Sequence, residues 1–438
     1  MTGVSIRAMA SALPGENGIK GSVLTGRDIL SVQIKETKGF FRYFIPSKNF
    51  VRLGKFIDRL ENKTGIKTRN ILNNASVKYP NSYLGVKAGL RTLEKAGVKP
   101  HQVEGLFYGT GTTDFVFPAQ GIIIAKLLDI KPRQFGNSSM ACTSIADALR
   151  QTAEWIDRGL ANNALILLGD VTSRLRLPHG NLERYIFGDG FVGIFVEKGK
   201  GGFTFTNLKV DTEIADVFVH NAIYSSQIGS RNVDLLDNFQ YNDAGLDVMG
   251  EVDAVEFPYA LEDYTVNSGQ KIDQDVKIVT PQTGKNVIHN GIKIFKQDTQ
   301  IDISPNIVEA SSFRHGNIGA GAAPLAMLEG DIKPSDSVLF SLAGVGGVST
   351  IFKIDPFLEK GISVQPLSIV KARPDYKEMV KKSVEELNKK NRKGKFEFSE
   401  LTMSDKGENI SFQPIQSQPR QLTSLERVIR SVSNDAAL

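Results

Sequence analysis

The residue whose type most invites chemistry is Cys142, the only cysteine in the 438-residue chain. It sits in Gly136-Asn-Ser-Ser-Met-Ala-Cys-Thr-Ser-Ile-Ala-Asp-Ala-Leu149, where small and hydroxyl residues lead into an apolar helical pattern. Ile145, Leu149, Ala153, Ile156 and Leu160 recur at helical spacing, which predicts a helix packed along one face and puts Cys142 at or just before its N-terminus. Unpaired backbone N–H groups and the helix dipole at that point favour a thiolate, the form that attacks a carbonyl carbon. Taken alone, a free cysteine is by default a small buried hydrophobe.

A nucleophilic cysteine needs a partner base or an acidifying setting, and its acyl adduct needs donors for the oxyanion. The chain offers His101, His179, His220, His289 and His315. Each is by itself an ordinary surface or satisfied core histidine, and context singles out two. Asn286-Val-Ile-His-Asn-Gly-Ile-Lys-Ile-Phe295 suggests a strand-to-helix turn at His289. Phe313-Arg-His-Gly-Asn-Ile-Gly-Ala-Gly-Ala-Ala-Pro324 reads as a small-residue turn opening a helix. Such turns expose polar side chains and leave room for a ligand.

The elements that would position these residues alternate between strand and helix. A first strand is followed by a Pro/Gly turn, helix Tyr83 to Ala96 with a stripe of Leu84, Ala88, Leu90, Leu93 and Ala96, and strand Val103 to Tyr108. The loop Gly109 to Pro118, a helix from Ala119 to Leu128, the Cys142 helix and a buried strand Ala164 to Leu168 come next. Ile186-Phe-Gly-Asp-Gly190 opens the strand Phe191 to Glu197. A second half repeats the logic, with helices expected at Lys271 to Val279 and Val287 to Lys296, then strands Ser337 to Leu342 and Ile351 to Ile354 around Ala343-Gly-Val-Gly-Gly-Val-Ser-Thr350. Asp211 to Tyr264 reads as loop-rich and suited to shaping a pocket. The alternation argues for a layered α/β fold. Boundaries are expected at 1–202 and 203–357 for two halves. Residues 358–438 form a C-terminal extension, with a charged helix Lys377 to Lys390, a strand within Lys395 to Ser404 and a flexible Gln/Ser/Pro/Arg-rich tail from Gln413.

Composition narrows the class. With 41% hydrophobic and 23% charged residues the chain is an ordinary globular protein, and one cysteine permits no internal disulfide. The N-terminus carries no sustained apolar segment of the signal-peptide kind, and no apolar run approaches the length that spans a bilayer, so a cytoplasmic location without membrane association is expected. A net charge of +5 with no long basic block argues against a nucleic-acid surface. Lys35 to Arg59 is locally basic, with Arg42, Lys48, Arg52 and Lys55 among its cations. It is either a solvated face or a landing surface for coenzyme A phosphates or an acidic carrier protein.

Taken together and in order, Cys142, Gly188-Asp189-Gly190, His289, His315-Gly316-Asn317 and Gly344 to Gly347 resemble the thiolase superfamily, in its ketoacyl-acyl carrier protein synthase III branch, over residues 1–357. Thr64-Gly65-Ile66 with Arg69 and the Phe117-Pro118 pair add to the likeness. That family carries a cysteine at a buried helix N-terminus, a histidine in a Pro-His-Gln-Ala-Asn type turn, and an asparagine in a His-Gly-Asn turn. Order and spacing assign its histidine to His289, although Val-Ile-His-Asn-Gly departs from the family's turn.

The resemblance implies an α/β, layered α-β-α-β-α fold of two pseudo-repeated halves. It implies that Cys142 forms an acyl-enzyme by ping-pong transfer and that backbone N–H groups of Cys142 and Gly347 hold the oxyanion. His289 and Asn317 would stabilise the enolate of a malonyl- or β-ketoacyl-thioester that attacks the acyl group, a Claisen condensation. It further implies substrate contacts at Phe117, Gly316 and Gly346, acyl-CoA or phosphopantetheine-bound acyl groups as substrates, no metal or resident cofactor, and a homodimer in which Phe117 borders the partner's acyl pocket. The extension and the divergent middle point to a specialised lipid or polyketide pathway. Alternatives within the fold are acyl transfer to oxygen or nitrogen and the joining or cyclising of two acyl chains. A different class, a non-catalytic partner subunit, goes with loss of the cysteine, which is retained here.

Overall fold

The computed structural model describes residues 3–37, 47–72, 77–115, 117–175, 185–210, 243–267, 269–333, 335–344, 348–355, 363–364, 401–403 and 410–412. The first half contains β1 (Val4–Ala12), β2 (Ser22–Thr25), α1 (Gly26–Thr37), α2 (Ser47–Thr64), β3 (Thr68–Ile71), α3 (Pro80–Ala96) and β4 (Gly105–Gly109). It continues with α4 (Gln120–Leu127), β5 (Gln134–Ser138), α5 (Ser144–Asp157), β6 (Asn163–Val171) and β7 (Asp189–Lys198). The second half has β8 (Gly202–Val210), α6 (Asp243–Glu262), β9 (Val276–Val279), α7 (Lys285–Thr299), α8 (Ser312–His315), α9 (Ala322–Glu329), β10 (Ser337–Gly344) and β11 (Val348–Asp355). Three short strands follow: β12 (Ser363–Val364), β13 (Leu401–Met403) and β14 (Ile410–Phe412).

Two five-stranded mixed sheets form the frame, ordered β1-β7-β6-β4-β5 and β12-β8-β11-β10-β9. Strand β6 shows why they are sandwiched. Its residues alternate faces, so Ala164, Ile166 and Leu168 join Ile145 and Leu149 of α5, Leu325 of α9 and Phe340 of β10 in a core between the sheets. Leu165 and Leu167 point the other way, into a core with Leu84 and Leu93 of α3 and Ile124 of α4. On the far side of the second sheet, Phe257 and Leu261 of α6 and Phe295 of α7 cover Ile278, Leu339 and Ile351. The layers are therefore helix, sheet, helix, sheet, helix, the expected α/β architecture. Phe257 fits a notch left by Gly291, where an added Cβ would lie 1.9 Å from its ring, so α6 and α7 cross at close range.

Local readings hold where the pattern was long. Ile145, Leu149, Ala153 and Ile156 are all buried on α5, whereas Leu160 lies past the helix end and is exposed. Likewise Leu90 of α3 faces solvent beside its buried neighbours. The expected helix at Lys271 to Val279 is instead a turn followed by β9, because Val276–Val279 pairs in parallel with β10 and buries its side chains there. Asp211 to Tyr264 is not loop throughout: α6 occupies its last third, and 211–242 lie outside the described residues. The expected helix Lys377 to Lys390 and the tail from Gln413 also lie outside them, while β13 falls within the expected strand Lys395 to Ser404. No described helix is long and apolar enough to cross a membrane.

Candidate active site

Strand β5 delivers the chain to Met140, and Ala141 turns it sharply at φ 44, a left-handed conformation that costs energy for a residue with a Cβ. One turn of 3₁₀ helix at Ala141–Thr143 follows and runs directly into α5. Cys142 is thus held at a strained turn ahead of a helix N-terminus, as its sequence context predicts. The Thr143 N–H and hydroxyl both donate to the Met140 carbonyl, at 3.1 and 2.8 Å, and brace the turn. Gly344, at the end of β10, lies against the same turn, and an added Cβ would meet the Thr143 methyl at 3.3 Å.

Asn317 is brought to this turn by its backbone. It forms a parallel bridge with Phe187: its N–H donates to Ile186 O at 2.8 Å and its carbonyl accepts from Gly188 N–H at 3.0 Å. Gly316 precedes it at φ 70, where a Cβ would stand 2.7 Å from Gly188 N, so only glycine fits that approach. The Asn317 side-chain oxygen accepts from Gly319 N–H at 2.9 Å. The same side chain lies beside the Cys142 sulfur and favours its thiolate. Cys142 and Asn317 therefore meet.

Asp170, at the end of β6, ties the surrounding loops together. It accepts from Thr110 Oγ1 at 2.9 Å, Gly111 N–H at 2.7 Å, Thr112 Oγ1 at 3.0 Å and Ala320 N–H at 2.9 Å. Burial raises its pKa, with these hydrogen bonds working in the opposite direction.

The electrostatics of the thiol run against the helix-dipole expectation. Burial, then the nearby carboxyls of Asp253 and Asp170, push the Cys142 thiol up to about 12, outweighing its own backbone N–H and Asn317. The dipole acts through partial charges at the helix end, whereas desolvation acts on the full charge of the thiolate. Free Cys142 is consequently a protonated thiol at neutral pH. Asp253, on α6, is itself buried and raised to about 8 by desolvation and by Glu256, with the Thr283 hydroxyl pulling it down.

His289 does not join this group. It lies on the exposed face of α7, in the second turn of the helix rather than at a strand-to-helix turn. The apolar positions Ile288, Gly291 and Phe295 take the buried face, and helical geometry turns His289 away from it. The turn that follows β9 is Thr280-Pro281-Gln282-Thr283-Gly284, so the residue after the proline is Gln282, where the family's turn has histidine. Gln282 is buried, donates to Thr280 O at 2.8 Å and accepts from Ser311 Oγ at 3.2 Å. His315 is no substitute: its ring nitrogens lie 2.8 Å from Asn70 Oδ1 and 3.0 Å from Glu329 Oε2, in a buried structural network.

The other expected positions divide. Phe117 is 88% exposed on the loop before α4. Gly346, Gly347 and Arg42 lie outside the described residues. Lys48 and Arg52 fall on α2, and Lys55 is exposed on the same helix. Gly188-Asp189-Gly190 and Arg69 are structural. Asp189 accepts from Leu72 N–H and Ser173 N–H at 2.8 Å, and buried Arg69 donates through Nε to Tyr185 O at 2.9 Å.

Sequence reasoning missed Asp170, Asp253 and Gln282. The signal for Gln282 was its proline, which marks the turn after β9 more firmly than spacing marks His289. Asp253 left a weaker trace, an acid within the apolar run Val252 to Tyr259.

Comparison with known proteins fits this geometry. A sequence profile of the 3-oxoacyl-[acyl-carrier-protein (ACP)] synthase III family matches residues 137–213, the segment from Cys142 through β7 and β8. A beta-ketoacyl-[acyl-carrier-protein] synthase III of Desulfitobacterium hafniense (strain DSM 10664 / DCB-2) is 32% identical over 143 residues, covering 33% of this chain and 42% of that protein. A second, from Allorhizobium ampelinum, is 26% identical over 306 residues, covering 66% and 87%. The chain thus spans about two fifths of the length of the first relative and most of the second. Among solved structures, AbyA1, a tetronic acid condensing enzyme, superposes with a TM-score of 0.58 at 19% identity, covering 80% of this chain and 99% of that one. The chain therefore shares the fold of these condensing-enzyme structures, and its residues 137–213 are similar to the 3-oxoacyl-[acyl-carrier-protein (ACP)] synthase III family.

Proposed function

We propose that the protein is a Cys142-dependent acyltransferase that carries an acyl group as a thioester and passes it to a carbon nucleophile in a Claisen condensation. The observation that carries this reading is the Cys142–Asn317 pair at a strained turn before α5. The thiol attacks the carbonyl carbon of an acyl-CoA or acyl-carrier thioester and the donor thiol departs, leaving acyl-Cys142. The Cys142 N–H and a donor from the Gly344 to Gly347 turn hold the oxyanion. A second thioester loses its α-proton or carbon dioxide to give an enolate, its oxygen hydrogen-bonded by Asn317; the enolate attacks the acyl carbon, the carbon–sulfur bond to Cys142 breaks, and the released thiolate takes up a proton.

Gln282 bears on the choice of acceptor. It spends one amide N–H on Thr280 O and its oxygen on the Ser311 hydroxyl, so beside Asn317 the enolate meets a partly engaged neutral amide instead of an imidazole. That suits a β-ketoacyl-thioester, whose α-carbon is already acidic, better than a malonyl group that must lose carbon dioxide. The tetronic acid condensing enzyme among the structural neighbours agrees with a specialised pathway. The same Gln282 supports a second reading, acyl transfer to an oxygen or nitrogen acceptor, which needs no enolate. In the assembly we propose, a homodimer, exposed Phe117 is covered by the partner copy, and Arg42, Lys48, Arg52 and Lys55 receive the acyl donor's phosphates.

The test is intact-mass measurement after incubation with a panel of acyl-CoA and acyl-carrier donors, followed by product analysis with malonyl, β-ketoacyl, alcohol and amine acceptors. The expected result is an acyl adduct in the wild type that is absent from Cys142→Ala, and a carbon–carbon product with a β-ketoacyl acceptor. No adduct with any donor favours a non-catalytic role.

A further inference from the structure

With His289 on the surface and Gln282 in the turn after β9, no imidazole among the described residues is placed to take the proton of Cys142. The structure supplies a different group. Asp253 projects from α6 and is 2% exposed, and its Oδ2 is buried without a hydrogen-bond partner among the described residues. Its carboxyl lies close enough to Cys142 to act on the thiol, as does that of Asp170. The two carboxyls differ in what they are engaged with. Asp170 spends its oxygens on Thr110, Gly111, Thr112 and Ala320, whereas Asp253 keeps an oxygen free. The Thr283 hydroxyl lies close enough to temper Asp253, yet its own oxygen is also left unpaired. Ser144 Oγ, at the start of α5 beside the Cys142 turn, is another buried orphan. An unpaired buried carboxyl costs stability, and such a cost is retained where a ligand or a reaction uses the group.

We propose that Asp253 is the proton acceptor for Cys142, in the role that the family's turn gives to a histidine. This rests on the acyltransferase reading above. In the step, the Cys142 S–H proton moves to Asp253 Oδ2, directly or through one water, as the sulfur forms its bond to the thioester carbonyl carbon. The carbon–sulfur bond to the donor breaks on collapse of the adduct. The departing thiolate takes the proton back from Asp253, so the exchange is thiol for thiol with no net proton change. Burial and, after it, Glu256 on the same helix disfavour negative charge on Asp253, which keeps it protonated until the pH approaches 8. Reaction of Cys142 therefore rises with pH through that region.

The experiment is the rate of Cys142 alkylation by iodoacetamide from pH 6 to 10, read by intact mass, in the wild type, Asp253→Asn and Thr283→Val. Iodoacetamide needs no acyl donor, so this test stands apart from the search for a substrate. The expected result is an inflection near pH 8 in the wild type, its loss in Asp253→Asn with a rate about 100-fold lower at pH 8, and its displacement to higher pH in Thr283→Val. The Thr283 variant covers the case in which Asp253→Asn folds poorly. Should Asp253→Asn instead react faster at pH 7, or show the wild-type profile, Asp253 merely repels the thiolate or is a bystander and the proposal fails. If alkylation behaves as expected but no acyl donor loads Cys142, it is the acyltransferase reading that falls.

Discussion

The Asn317 side chain serves two neighbours at once: its oxygen accepts the Gly319 N–H at 2.9 Å, and the same amide favours the thiolate of Cys142 beside it. One amide thereby joins the fold of the turn before α9 to the state of the thiol. Removing it affects stability and reactivity together.

Asn317→Ala should lower stability by about 1–3 kcal/mol, because a buried Gly319 N–H loses its acceptor. It should also slow Cys142 acylation. Denaturant unfolding and adduct formation by mass check the two effects separately, and a variant with unchanged stability would show that the Gly319 bond contributes nothing.

His289→Ala should leave acylation and product formation within about twofold of wild type. The residue is exposed on α7, and surface changes away from special features move stability little. A loss of condensation with retained acylation would return His289 to the catalytic role that its order in the sequence suggests.

Gly319→Ala should be among the most damaging single substitutions. At φ 61 an added Cβ would stand 1.9 Å from Asp170 Oδ2, within the network that also holds Ala320. Strain and displacement of a buried carboxyl together are expected to cost more than about 3 kcal/mol. A melting temperature within a few degrees of wild type would contradict the tight approach.

Asp253 also gives stability a pH dependence. Its folded pKa of about 8 lies above the ordinary 3.8, so the folded state holds this proton more tightly than the unfolded chain does. The contribution is full below about pH 4 and is lost as pH rises toward 8, with a slope of at most about 1.4 kcal/mol per pH unit from this group. Asp253→Asn should flatten that part of a stability-against-pH curve, and an unchanged slope would mean that the carboxyl is ionised at lower pH.

The elements legible in the sequence were those whose signal is local. The apolar period of α5 is written in Ile145, Leu149, Ala153 and Ile156, and the small residues before Cys142 announce a turn, so the placement of the proposed nucleophile could be read from neighbours in the chain. His315-Gly316-Asn317 was legible for the same reason, since Gly316 marks a backbone position that a Cβ would block. The partner of the cysteine was not. His289 carries the right chemistry at a fitting interval, but helix α7 rotates it to solvent because Ile288, Gly291 and Phe295 take the core, and periodicity alone gave no reference for which face that would be.

The state of the thiol was decided by tertiary structure alone. A helix N-terminus is a local feature and pointed to a thiolate. Burial and the carboxyls of Asp170 and Asp253, delivered by β6 and α6 from distant parts of the chain, reverse that sign. Desolvation depends on everything that closes around a group, and no window of sequence contains that sum. The sequence by itself therefore determined the layered fold and the residue we propose as the acyl carrier. Only the packed molecule determined which groups surround it and in which protonation state it waits.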